Sequence, residues 1–94
     1  MYSIIISKTF KKKFDKLPNQ IQNRARKLLK KLEVELIGES LVGDLKGLYS
    51  IHFEKNKYRI IYSKQDNNVQ ILLLDIGKRN DSFYDTFRKN RKNI

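Results

Sequence analysis

The stretch that decides the fold is Leu45-Lys46-Gly47-Leu48-Tyr49-Ser50-Ile51-His52-Phe53-Glu54-Lys55-Asn56-Lys57-Tyr58-Arg59-Ile60-Ile61-Tyr62, which reads as a β-hairpin. In its first arm Tyr49, Ile51 and Phe53 alternate with Ser50 and His52; in its second, Tyr58, Ile60 and Tyr62 flank Arg59. Side chains alternate between the faces of a strand, so one face of the hairpin is core and the other carries the polar groups. An even number of loop residues keeps both apolar sets on the same side. Two registers satisfy this. A two-residue turn at Lys55-Asn56 sets His52 opposite Arg59; a turn at Asn56-Lys57 sets His52 opposite Ile61, with Arg59 as its diagonal neighbour. In both, an imidazole and a guanidinium share an exposed patch, with Ser50 close by and Lys57 at the rim.

A chain of 94 residues is expected to form a single domain, residues 1–94, burying roughly 60 to 65% of the surface its unfolded form exposes. It has no cysteine, which leaves no disulfide framework, thiolate metal site or cysteine nucleophile. The apolar run at Ile4-Ile5-Ile6 is too short for a signal peptide, and no later run approaches membrane-spanning length. A soluble, cytoplasmic protein with no membrane association is therefore expected. The net charge of +11 points to an anionic partner, either nucleic acid or an acidic protein segment.

Working outward, Tyr2 to Ile6 reads as a first strand. Ser7 or Thr9 caps a helix whose Phe10, Phe14 and Leu17 form one apolar stripe, ending before Pro18. Pro18 opens a second helix, in which Ile21, Ala25, Leu28, Leu29, Leu32 and Leu36 recur at helical spacing as far as Ile37, with Gly38 as its left-handed cap. Residues 39–46 read as a loop whose leucines tuck under the sheet edge. A turn at 65–68 leads into a last strand from Val69 to Ile76, ended by Gly77. Because Ile71-Leu72-Leu73-Leu74 is apolar on both faces, this strand is expected inside the sheet with apolar cover on each side. Asp81 or Ser82 caps a final helix holding Phe83, Tyr84 and Phe87. The result is an α+β domain of order β-α-α-β-β-β-α, a helical hairpin packed on a small, mainly antiparallel sheet.

Metal and cofactor chemistry finds no support in the inventory. One histidine and ten carboxylates show no ligand-like spacing, and no glycine-rich loop opens a helix. Ser50 near His52 lacks an orienting carboxylate for a hydrolase arrangement.

Three segments, Leu45-Lys46-Gly47-Leu48-Tyr49, Tyr58-Arg59-Ile60-Ile61-Tyr62 and Asp75-Ile76-Gly77-Lys78-Arg79 with Tyr84 beyond, resemble the RelE/ParE superfamily of toxins from type II toxin–antitoxin systems, most closely its RelE branch. The resemblance covers nearly the whole chain and implies the RelE-like fold. It also implies a ribosome-dependent mRNA endoribonuclease that cuts in the A site without metal or cofactor, by attack of a ribose 2′-hydroxyl. Arg59 and Arg79 match the arginines that would brace the phosphate, and Tyr84 the late tyrosine that would stack on a base or donate a proton. Lys46, Ser50, Lys57 and Lys78 would contact RNA. The RelE pattern has lysines at the positions of Ser50 and His52, so His52 is assigned here as the general base, an imidazole being the side chain that ordinarily titrates near neutrality. The implied partners are the ribosome, mRNA and a cognate acidic, RelB-like antitoxin whose helices wrap the basic surface. The alternatives are a ParE-like inhibitor of DNA gyrase that cuts nothing, and a degenerate member without activity.

Overall fold

The computed structural model describes residues 2–64, 70–78 and 87–89. Five strands form one sheet: β1 (Ser3–Ile6), β2 (Glu39–Ser40), β3 (Leu48–Phe53), β4 (Tyr58–Lys64) and β5 (Gln70–Lys78). Their spatial order is β1-β5-β4-β3-β2, with β1 parallel to β5 and every other neighbour antiparallel. Helices α1 (Lys8–Asp15) and α2 (Asn19–Leu32) follow β1 in the chain. This is the α+β architecture expected, with one more strand: β2, two residues long, pairs Glu39 with Ser50 and Ser40 with Tyr49. A pair of residues carries no periodicity, so the alternation test could not find it.

The hairpin adopts the first of the two registers. Tyr49 pairs with Tyr62, Ile51 with Ile60 and Phe53 with Tyr58, while His52 lies opposite Arg59. The Lys57 N–H donates to the Glu54 carbonyl at 3.0 Å. Lys55 and Asn56, between them, both take positive φ (56° and 67°), as a tight turn matched to strand twist requires. The Tyr49 and Tyr62 rings stack at 5.0 Å.

That aromatic face packs with Phe10, Ile21, Ala25, Leu32, Ile71, Leu73 and Ile76 into the main core. On the other face Leu45, Leu48, Ile61 and Phe87 form a second cluster, flanked by Leu41 and Leu74. Strand β5 is thus interior and covered on both sides, and the leucines of the 39–46 segment do tuck beneath the sheet, Leu45 from a 3-10 turn at Gly43–Leu45. The strand runs on through Gly77 to Lys78 rather than stopping at Gly77, because Arg59 and Tyr58 of β4 continue to pair with it. The expected cap and start of the final helix lie outside the described residues; residues 87–89 are helical.

The two helices follow their local signals at the start and depart from them at the end. Ser7 caps α1, its hydroxyl accepting from the Phe10 N–H at 3.1 Å, and the chain passes through Pro18 into α2. The Gln22 side chain donates to the carbonyls of Phe14 and Leu17 at 2.9 and 3.2 Å, satisfying orphan acceptors of the first helix. Helix α2, however, ends at Leu32 and not at Ile37. The Tyr2 N–H takes the Glu33 carbonyl, at 2.7 Å, that the Ile37 N–H would have used in a longer helix, and the Tyr62 hydroxyl donates to Ile37 O at 2.7 Å. Gly38 has the expected positive φ (96°), yet it serves the approach to β2 instead of a helix end. A Cβ there would collide with the Ser50 carbonyl oxygen.

Gly38→Ala is expected to lower the unfolding free energy by about 1–3 kcal/mol in urea titrations, from the strained φ and the lost close approach. Tyr62 gives a second prediction. Its burial, reinforced by the nearby Tyr49 and Tyr2 phenols, pushes its hydroxyl from 10.0 up to about 12. The unfolded chain therefore releases this proton first, so the stabilisation is complete below pH 10 and is lost as pH rises toward 12. The advantage of the wild type over Tyr62→Phe, about 1 kcal/mol near neutrality from the hydrogen bond, should shrink across that interval in pH-dependent urea melts.

Candidate active site

The end of the sheet nearest the β3–β4 turn brings two of the expected site residues, His52 and Arg59, together on one face, and sets Lys78 on the other face beside Tyr58. Directly opposed residues in antiparallel strands share a face, so His52 of β3, Arg59 of β4 and Gly77 of β5 lie in a row on one face, through the pairs His52–Arg59 and Arg59–Gly77. Lys78 is the next residue of β5, opposite Tyr58. His52 and Lys78 are exposed and Arg59 is half-buried between its neighbours. Gly77 contributes no side chain beside Arg59. Lys57, exposed, closes the turn beside Tyr58.

Two further expected RNA contacts are not in this patch. Ser50 is on the same face as His52 but only 1% exposed. It pairs with Ile61, which belongs to the second apolar cluster. That cluster covers the inner half of a face that alternation alone had marked as open. Lys46 precedes β3 at its other end: Leu48, opposite Ser63, is already about 13 Å along the strand from His52. Arg79 and Tyr84 lie outside the described residues.

The acids near the patch are engaged elsewhere. Glu54, at the turn, pairs with Arg24 of α2 at 2.8 Å. Asp75, in β5, is paired with Lys13 of α1, Nζ to Oδ1 at 2.8 Å, with its side chain 2% exposed. The sequence reading missed both pairs. A signal for the second was present, since a carboxylate inside the apolar run Ile71–Ile76 has to find a cation or donors once buried. The patch therefore presents a guanidinium and an imidazole with the Lys57 ammonium at the rim, and among the described residues the adjoining carboxylates are ion-paired. It is a shallow surface on open sheet. A groove of about 580 Å3 lies elsewhere, between α2 and the turn, lined in part by Asn23, Arg24, Lys27, Lys31 and Phe53. Such an open patch suits a strand of nucleic acid better than an enclosed small molecule. Among the described residues no three His, Cys, Asp or Glu side chains cluster so as to hold a metal ion.

A protein-family comparison matches residues 4–83 to the family described as ParE toxin of type II toxin-antitoxin system, parDE. The chain belongs to this toxin family. Within the wider RelE/ParE superfamily its fold is that of RelE. It is similar to the isolated E. coli RelE toxin (20% identity, TM-score 0.74, covering 98% of this chain and 99% of that one). The toxin–antitoxin complex RelBE2 of Mycobacterium tuberculosis matches at 23% identity and TM-score 0.71, covering 83% and 98%. The archaeal RelE–RelB complex of Pyrococcus horikoshii matches at 25% identity and TM-score 0.62, covering 85% and 97%. No curated protein matches the chain. No described helix of this ParE-family toxin is long and apolar enough to cross a membrane.

The geometry makes a direct prediction for the free toxin. Titrating inorganic phosphate at low ionic strength should shift the NMR resonances of His52 and Arg59 together, and leave those of Lys46 in place.

Proposed function

We propose that this toxin is a ribosome-dependent endoribonuclease that cleaves mRNA in the A site without a metal ion. The observation that carries the reading is the cross-strand pair His52–Arg59 at the turn end of one face of the sheet, flanked by Gly77. Cleavage of this kind needs a base for the ribose 2′-hydroxyl, cations for the charge gathering on phosphorus, and an acid for the leaving oxygen. His52 takes the 2′-hydroxyl proton as the 2′-oxygen bonds to phosphorus. Arg59 binds the non-bridging oxygens in the bidentate manner that suits a guanidinium, and Arg79, one residue beyond Lys78, joins it. The P–O5′ bond breaks, and the departing 5′-oxygen takes a proton from Tyr84, whose ring also stacks on a base. The products are a 2′,3′-cyclic phosphate and a 5′-hydroxyl. Lys57 and Lys78 contribute electrostatic attraction to the RNA backbone.

The toxin works in the cytoplasm, where ribosomes and mRNA are, and is neutralised by a cognate antitoxin. Support for the antitoxin comes from the similar RelE proteins of M. tuberculosis and P. horikoshii, each seen in complex with its partner. The chain also offers a covering protein the outer edge of β1, where Ile5 and Ile6 are 41% and 54% exposed. The alternative reading is a toxin that inhibits DNA gyrase and cuts nothing.

Single-turnover cleavage on programmed ribosomes separates the two. His52→Ala should slow cutting about 10²–10⁴-fold and Arg59→Ala about 10²–10³-fold, with 2′,3′-cyclic ends on the residual product. Cutting undiminished by His52→Ala would remove the imidazole from the mechanism. Gyrase supercoiling blocked by the wild type, with no RNA cut, would replace the nuclease by the second reading.

A further inference from the structure

Strand β5 carries one residue too many. Tyr62 pairs with Leu73 and Ile61 with Asp75, so Leu74 has no counterpart on β4 and the strand bulges there. Every group around the bulge is tied to α1 or to the loop that starts it. The Ser7 N–H donates to Leu73 O at 3.1 Å, and the Ser7 hydroxyl to Leu74 O at 3.3 Å. Asp75 Oδ1 accepts from the next N–H, that of Ile76, at 2.8 Å. Lys13 holds the same carboxylate through both oxygens, at 2.8 Å to Oδ1 and 3.1 Å to Oδ2.

The position of the bulge decides what stands beside Arg59. If β5 ran in unbroken register from the Tyr62–Leu73 pair, Ile61 would face Leu74, Ile60 would face Asp75 and Arg59 would face Ile76. A branched side chain would then stand beside Arg59 where Gly77 stands now, and Lys78 would move one residue beyond Tyr58. Bulges next to active sites commonly re-aim side chains in this way. We infer that Ser7, the cap of the first helix, and Lys13 within it, acting on Leu73, Leu74 and Asp75, form a clamp that fixes the β5 bulge and so positions Gly77 beside Arg59. The inference rests on the reading of that patch as the phosphate-binding site. Lys13 and Asp75 are accordingly positioning residues that act through the strand.

Two variants test the clamp, and they pull in opposite directions. Asp75→Leu removes the carboxylate but keeps the extra residue, so the bulge loses its anchor, and an apolar side chain is free to slide under the helices opposite Ile60. Deleting Asp75 removes the clamp and the extra residue together; Ile61 then pairs with Leu74, Ile60 with Ile76 and Arg59 again with Gly77. Cross-strand nuclear Overhauser contacts in the free toxin read the register without any assay of activity. Asp75→Leu is expected to lose the Arg59–Gly77 contact and to slow single-turnover cleavage about a hundredfold, as for a displaced catalytic group. The deletion is expected to keep the contact and to cleave within a few-fold of the wild type, the reverse of what a merely structural role predicts. An Arg59–Gly77 contact that persists in Asp75→Leu, or is lost in the deletion, overturns the clamp. If the wild type cuts no RNA, the nuclease reading falls and the register result still decides the clamp.

Discussion

The pairing of Tyr49 with Tyr62, Ile51 with Ile60 and Phe53 with Tyr58 is the constraint from which the rest of the molecule follows. Strand side chains alternate with a period of two, so a slip of one residue would turn every aromatic out of the core. The stacked tyrosines and the tilted Phe53–Tyr58 pair resist that slip. Once the register is set, His52 has nowhere to go except opposite Arg59. The candidate chemistry is thus a by-product of packing on the reverse face, and it is held as rigidly as the core itself.

The second apolar cluster divides that reverse face in two. Leu45, Leu48, Ile61 and Phe87 cover its inner part, and Arg88 bonds Asp44 at 2.7 Å alongside. Among the described residues, His52 near the turn is exposed on this face while Ser50, Leu48 and Ile61 further along are buried. The ion pairs Arg24–Glu54 and Lys13–Asp75 engage the neighbouring described acids.

The parts of this arrangement that were legible in the sequence are those written in short-range periodicity. Alternation in 49–62 gave the hairpin and a choice of two registers, Ser7 and Pro18 gave the helix starts, and the doubly apolar run at 71–74 gave the interior strand. What could not be read depends on long-range partners. The end of α2 at Leu32 goes with a distant partner, the Tyr2 amide, which takes the Glu33 carbonyl that the next helical turn would need. Nothing local buries Ser50; Leu45 and Phe87 help to cover that face. The bulge at Leu74 is invisible to pattern counting because it interrupts the pattern without changing composition. Its trace was Asp75, an acid among aliphatics.

Strand β1 lies at the sheet edge and hydrogen-bonds to β5 alone, across 67 positions of sequence. Synthesis proceeds from the amino end, so β1 waits without a strand partner while most of the polypeptide is still being made. Contacts between such remote segments are slow to form. Gly77 likewise reaches Arg59 only once β5 has been made, so the row on the reverse face is completed after the hairpin that carries His52 and Arg59.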